Sequence, residues 1–309
     1  MNVDWPALDY AGWAETQRHL HLLTQIVGKV RLAHTPWINH SWHVTLYPTA
    51  CGLTTGPIPA AVDVQLDFDF VDQLLIIASA RGDRREFPLR SGSVADAYQA
   101  IMAALTELGA PTVIDAMPSE MHDAIAFDQD RASRPWDGDA VRRFHRVLLS
   151  AARVFTADRS AFLGKVSPVH FFWGSCDLAV TRFSGRRAPR HPGGMPGLPD
   201  AVACEAYSHE EASLGFWPGD ARHPRAAFYA YAYPAPAGYA EAAAGPGAYD
   251  TALGEFLLDY DTMRQTPDPD ATLLRFARVA YAAAADLGAW DRAALDCPIG
   301  VPGQPRLVP

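Results

Sequence analysis

Between Val62 and Phe70 the chain alternates strictly. Val62, Val64, Leu66, Phe68 and Phe70 are apolar, and Asp63, Gln65, Asp67 and Asp69 between them are polar. A period of two puts every second side chain on one face, so this segment is a strand with one face in a core and the other toward water. Sheets with one solvated face are typically antiparallel. Leu74 to Ala80 and Glu86 to Leu89 read as the next strands, separated by the turn-prone Arg81-Gly-Asp83, which makes a meander.

Helices flank this sheet in the sequence. Trp13 to Leu32 carries Leu20, Leu23, Val27 and Val30 at spacings of three and four, with Pro36 beyond its end, and a strand begins near His43. Ser93 caps a helix that runs to Leu108 and is closed by Gly109,. After a connection from Ala110 to Asp139 the order repeats: helix Ala140 to Phe155, strand material from Val169 to Phe183, more strands, and a final helix. Gly28-Lys-Val-Arg with His43 downstream parallels Gly164-Lys-Val-Ser with His170, although the spacing from Lys to His differs between the two. The closing helices, Ser93 to Gly109 and Thr272 to Gly288, have equal lengths and end in Thr-Glu-Leu-Gly and Ala-Asp-Leu-Gly. Convergence of alanine-rich helices by composition is the alternative to duplication.

The expected fold is therefore α+β, with two similar halves (helix, antiparallel meander, helix) related by an internal duplication. Residues 1–115 form the first half, 116–139 a connection, 140–292 the second half and 293–309 a tail, all packed as one compact unit. A cleft between the halves is the expected place for a small-molecule site. Arg187 to Asp200 and Pro234 to Gly247 are rich in Pro, Gly and Ala and read as long loops,.

Composition narrows the function. A formal charge of −9 argues against a nucleic-acid partner, whose affinity needs clustered Lys and Arg. The densest basic run, Arg182 to Arg190, is either a solvated loop or a seat for an anion. Cys51, Cys176, Cys204 and Cys297 show no Cys-x-x-Cys spacing, so neither a zinc ribbon nor a disulfide framework is expected; they read as small buried hydrophobes. The start of the chain lacks a signal-peptide pattern, and no run approaches the ~20 apolar residues of a membrane span. A cytoplasmic protein without membrane contact is the expectation.

Candidate chemistry concentrates in Ser167 to Gly185, where His170, Asp177 and Arg182 interrupt an aromatic run; apolar segments admit such groups only with partners or a purpose. Trp37 to Tyr47, with His43, is its counterpart. Glu205, Tyr207 and His209 stand two apart, as do Tyr229, Tyr231 and Tyr233, so on strands each set lines one face. His40 and His43 are three apart and point oppositely on a strand; His43 is preferred because it has a repeat partner in His170. Those two with Glu205, or Glu210, compose a 2-His-1-carboxylate set suited to Fe or Zn. His19, His21, His122, His145, His191 and His223 read as helix or loop histidines. No nucleophile elbow, Walker loop or dinucleotide fingerprint is present,.

The segments Trp5-Pro-Ala-Leu, His21 to Arg31, Gly52-Leu-Thr-Thr55, Ser167 to Gly185, Glu205 to Glu210, Gly215-Phe-Trp-Pro-Gly219 and Phe228 to Pro234 resemble an uncharacterised bacterial domain-of-unknown-function family over nearly the whole chain. The resemblance implies one family unit of about this length and brings no activity or catalytic residue with it.

From the residues themselves, the expectation is a small-molecule enzyme acting on an aromatic or carboxylate-bearing molecule. His43, His170, Glu205 and His209 surround the reacting centre as acid, base or metal ligands, and Trp173, Arg182, Tyr207, Tyr229 and Tyr231 bind substrate. The alternative is a non-catalytic binding protein that holds a small molecule or a peptide in the same cleft. Oligomeric state is not fixed by these patterns.

Overall fold

The computed structural model describes residues 5–121, 123–195, 197–243 and 245–306; His122, assigned above to a loop or helix, lies outside them. The first half runs α1 (Tyr10–His34), β1 (Tyr47–Pro48), β2 (Gly52–Thr54), β3 (Val64–Asp69), β4 (Leu74–Ser79), β5 (Arg84–Pro88) and α2 (Val94–Glu107). The second runs α3 (Gly138–Arg159), β6 (His170–Phe172), β7 (Asp177–Arg187), α4 (Asp200–Ala206), β8 (His209–Trp217), β9 (Ala227–Tyr233), β10 (Ala248–Asp250), β11 (Glu255–Asp259), α5 (Tyr260–Arg264), α6 (Pro269–Leu287) and α7 (Arg292–Leu295). The fold is α+β. Both sheets are antiparallel, ordered β1-β2-β3-β4-β5 and β10-β11-β9-β8-β7-β6. Among the described residues, helix, strands, helix recurs in each half, with five strands in one sheet and six in the other.

The local signals act as expected. β3 alternates buried and half-buried residues along its length, and the β3-β4-β5 meander follows it. The Ser93 hydroxyl accepts from the Asp96 N–H at the start of α2, and Asp137 and Asp268 cap α3 and α6 the same way,. α1 ends at Thr35, held extended before Pro36, because proline disfavours helical backbone in the residue it follows.

α1 is the central helix, with Leu20, Leu22, Leu23, Ile26, Val27 and Val30 all under 5% exposed. α3 packs on α1 and α6 and against β1, β7 and β8, while α6 covers β8 and β9. These helices therefore cover one face of the six-stranded sheet. Phe144 of α3 meets Phe171 and Phe216 at ring distances of 6.5 and 6.4 Å, and Phe228 and Tyr260 extend the cluster. Burial of each such ring contributes about 1.5–3 kcal/mol.

The two sheets meet at one bridge. Leu46 and Phe171 exchange backbone hydrogen bonds of 2.9 and 2.7 Å, which sets β1 beside β6. Trp173 packs on Gly28 of α1, where a Cβ would overlap its indole, and donates to the Val44 carbonyl at 2.8 Å.

Two expectations need correction. Glu205, Tyr207 and His209 do not share a strand: Glu205 is in α4, Tyr207 follows its end and His209 opens β8, because the alanine-rich run from Asp200 favours a helical turn. Arg182 lies by register on the helix side of the sheet with Leu178 and Val180. Of the cysteines, which are all free, only Cys176 is buried and Cys51 is exposed. No helix among the described residues is long and apolar enough to cross a membrane.

Candidate functional site

The face of the six-stranded sheet turned away from α3 and α6 is unusually polar for so buried a surface. Register places Asp177 and Thr181 of β7, Glu211 and Ser213 of β8, Tyr229 and Tyr231 of β9 and Glu255 of β11 on it. Asp177 and Glu211 are each 5% exposed. Thr181 and Ser213 share a hydroxyl hydrogen bond of 2.8 Å.

Gly215 organises this face. A Cβ there would overlap the Tyr229 ring, so the bare backbone lets the phenol lie across β8 and donate to Asp177 on β7. Ser175 donates to the other Asp177 oxygen. Cys176, the residue between them, has a φ of 60°, a left-handed conformation that costs a non-glycine residue about 1 kcal/mol or more. Glu120, with a φ of 58°, brings its carboxylate over Gly174, where no side chain blocks it.

A second chain of groups lies alongside. Tyr231 neighbours Glu211 on this face, and its hydroxyl lies 3.3 Å from the Tyr207 hydroxyl. The Tyr229 and Tyr231 rings run nearly parallel, 6.1 Å apart. His191 stacks on Tyr207 at 4.6 Å, so the loop before α4 covers this end.

Beyond Glu211 the face ends in a cationic corner. The His40 ring lies 4.4 Å from that of Phe183. Its Nδ1 donates to the Ala206 carbonyl at 2.6 Å, which leaves Nε2 to accept from the Lys165 ammonium, also at 2.6 Å,. Lys165 stands over the Phe183 ring at 4.7 Å,. The Glu205 carboxylate accepts from the His40 backbone N–H at 2.9 Å and from the Trp37 indole at 3.4 Å. His209 approaches His40 edge-on at 5.8 Å.

Burial sets the electrostatics. It raises Glu211 to about 8, against the opposing pull of Lys165 and Tyr231. Burial and then the Asp177 charge raise Glu120 to about 7; burial, Asp177 and Asp250 raise Glu255 to about 7. Asp177 is raised by burial despite its bonds from Ser175 and Tyr229. The phenols of Tyr207, Tyr229 and Tyr231 are all pushed upward by burial. His40 is lowered by burial and Lys165, and Lys165 is itself lowered by burial. Near neutrality this face therefore holds carboxyls poised between acid and base.

The sequence-derived candidates separate into groups. Tyr207, Tyr229 and Tyr231 stand together on the acidic face, and Glu205 and His209 meet in the corner built around His40. His43 lies 4.6 Å from the Trp37 ring, whose indole reaches Glu205, while His170 is on β6 outside the acidic face, and Trp173 is bonded to the Val44 carbonyl. Arg182 ion-pairs with Asp158 of α3 at 2.7 Å beside a small void lined by Ala280 and Tyr281. Glu210 pairs with Arg186. Among the described residues no three His, Cys, Asp or Glu side chains are grouped to hold a metal ion, so the set of His43, His170 and Glu205 is not assembled.

Sequence reasoning passed over Glu120, Glu211, Glu255, Lys165 and His40. Glu211 was accessible in principle, since it continues the alternation of Glu205 to His209 into β8. Glu120 belongs to an irregular connection with no periodicity to read.

A family model described as a family of unknown function (DUF5996) matches residues 5–297. No curated protein and no solved structure gives a significant match.

Proposed function

Since this chain belongs to the DUF5996 family of unknown function, we propose its activity from the site: it is an enzyme that performs general acid–base chemistry on a small molecule bound over Tyr229, Tyr231 and Tyr207. The observation that carries this reading is the row of protonatable groups along one buried sheet face, Asp177, Glu211, Tyr229 and Tyr231, with Ser175, Glu120 and Tyr207 brought to it from adjoining turns and loops. Carboxyls with proton affinities raised toward neutrality suit proton transfer at physiological pH. In this reading Asp177 and Glu120 act as a pair, one holding the proton the other lacks, because two carboxylates in one desolvated place resist ionising together. Glu211 is the second acid, relayed to Tyr207 through Tyr231. Lys165 and His40 bound the site and offer a neutral imidazole and a cation to substrate.

The internal duplication belongs to the same proposal: two helix–meander–helix units joined at β1 and β6, of which the second has built the site. The test is a turnover screen of small polar and aromatic molecules with the full chain, against Asp177→Asn and Glu211→Gln. Turnover that survives in both variants sinks this reading.

A binding role without chemistry is the second reading, favoured by the tyrosine stack and the surplus of carboxyls, which together suit an organic cation. Recovery of a ligand intact from purified protein after long incubation, with no turnover in the screen, selects it.

A further inference from the structure

The end of α1 buries polar groups that the acidic face does not use. His170 is 0% and His43 1% exposed. Among the described residues neither ring nitrogen of His170 has a hydrogen-bond partner, nor does Nε2 of His43, Nε of Arg31 or Oγ1 of Thr35. An imidazole always carries at least one N–H, and each buried donor left unmatched costs on the order of 1–3 kcal/mol. Concentration of several in one place calls for a partner with several acceptor positions.

These groups share a neighbourhood. Thr35 follows Arg31 by one helical turn, and its N–H bonds to the Arg31 carbonyl at 3.0 Å. The Arg31 guanidinium lies over the Tyr47 ring at 5.3 Å and donates to the Thr45 carbonyl. Tyr47 and His170 flank the Leu46–Phe171 bridge, which draws the two segments together. The Arg31 charge reaches both imidazoles and holds their proton affinities down, on top of burial.

The charge is one-sided. Among the described residues Arg31 makes no ion pair, and the carboxylate that acts on His43, Glu205, is already bonded to His40 and Trp37. A guanidinium with neighbouring N–H and O–H donors is the composition of an oxyanion site, whereas the same fixed charge repels a divalent cation. We propose that Arg31, His43 and His170, with Thr35, bind a small oxyanion, a carboxylate or a phosphate group, independently of the acid–base chemistry on the other part of the sheet.

The test titrates the full chain separately with sodium phosphate and with sodium acetate, using sodium chloride at matched ionic strength as the control. Tm and the imidazole NMR resonances of His43 and His170 are read together. A saturable rise in Tm with a shift of the His170 resonances is expected for at least one of the two anions; phosphate alone or acetate alone names the class. Arg31→Gln and His170→Phe should each weaken that response at least ~10-fold. Should either variant fail to fold, the wild-type resonances still decide the matter. No response beyond chloride up to about 50 mM, or a response undiminished in both variants, overturns the proposal.

Discussion

The Tyr229 hydroxyl donates to Asp177 across the full width of β8, over the bare backbone of Gly215. Three strands are thereby tied on one face by a single phenol, and the register of β7, β8 and β9 is what makes the reach possible.

Gly215→Ala inserts a methyl group where the Tyr229 ring lies. The ring must lift, and the Asp177 bond is lost with it. A destabilisation of about 1–3 kcal/mol is expected, measured by urea unfolding, together with loss of any activity that depends on Asp177. Unchanged stability would mean that the ring has another place to rest.

The raised carboxyls make stability depend on pH. Glu211 titrates near ~4.3 when unfolded and at about 8 when folded, so its contribution is complete below the first value and lost as pH climbs through the second. Glu120 and Glu255 behave alike, with folded values of about 7. The buried histidines work in the opposite sense: His170 at about 3 and His19 and His21 at about 4 favour folding most above ~6.5. Their effect is spent by neutrality, so Tm should fall by roughly 5 °C from pH 6.5 to 8.5. Glu211→Gln should flatten that slope in a calorimetric series, and an equally steep profile in the variant would contradict the assignment.

Lys165 holds down the proton affinity of His40, after burial. Lys165→Met should therefore raise the His40 pKa in an NMR titration while leaving His145, bonded to the Thr49 carbonyl far along the chain, where it was. No movement at His40 would show that the two side chains do not meet in solution.

Arg182 has a structural task, and its removal should be costly. Its guanidinium donates to both the carboxylate and the carbonyl of Asp158, and both side chains are under 8% exposed. Arg182→Met leaves a buried carboxylate without its partner, for an expected loss of about 3–5 kcal/mol. The double variant with Asp158→Leu should recover much of it, since replacing both members of a buried pair is often neutral. Stability equal to wild type in Arg182→Met alone would refute the pairing.

What the sequence disclosed follows from the range of the interactions involved. α1, the β3-β4-β5 meander and the capped α2 were legible because their signals lie within a few residues: periodicity, a Ser93 cap, Pro36 beyond an end. Tyr229 and Tyr231 were readable as partners for the same reason. Asp177 stood out as a charge in an aromatic run, but its partner depended on Gly215, and nothing local says that a glycine in one strand clears space for a ring from the next. His43 is preferred to His40 in the sequence because it has a repeat partner in His170, and setting the two histidines on opposite faces assumes a straight strand. The chain turns there instead, with His40 and Ser41 at φ values of 59° and 58°, and this swings His40 toward Glu205 and Lys165.

The bridge between Leu46 and Phe171 has a consequence for how copies of this protein meet. With β1 laid against β6, the two sheets become one ribbon whose open margins are β5 and β10. β10 spans Ala248–Asp250, too short to template another strand well. β5 reads Arg-Arg-Glu-Phe-Pro, mostly exposed: charges along it and a proline at its end deter an incoming backbone. Both margins of the ribbon are thus poor templates for an incoming strand.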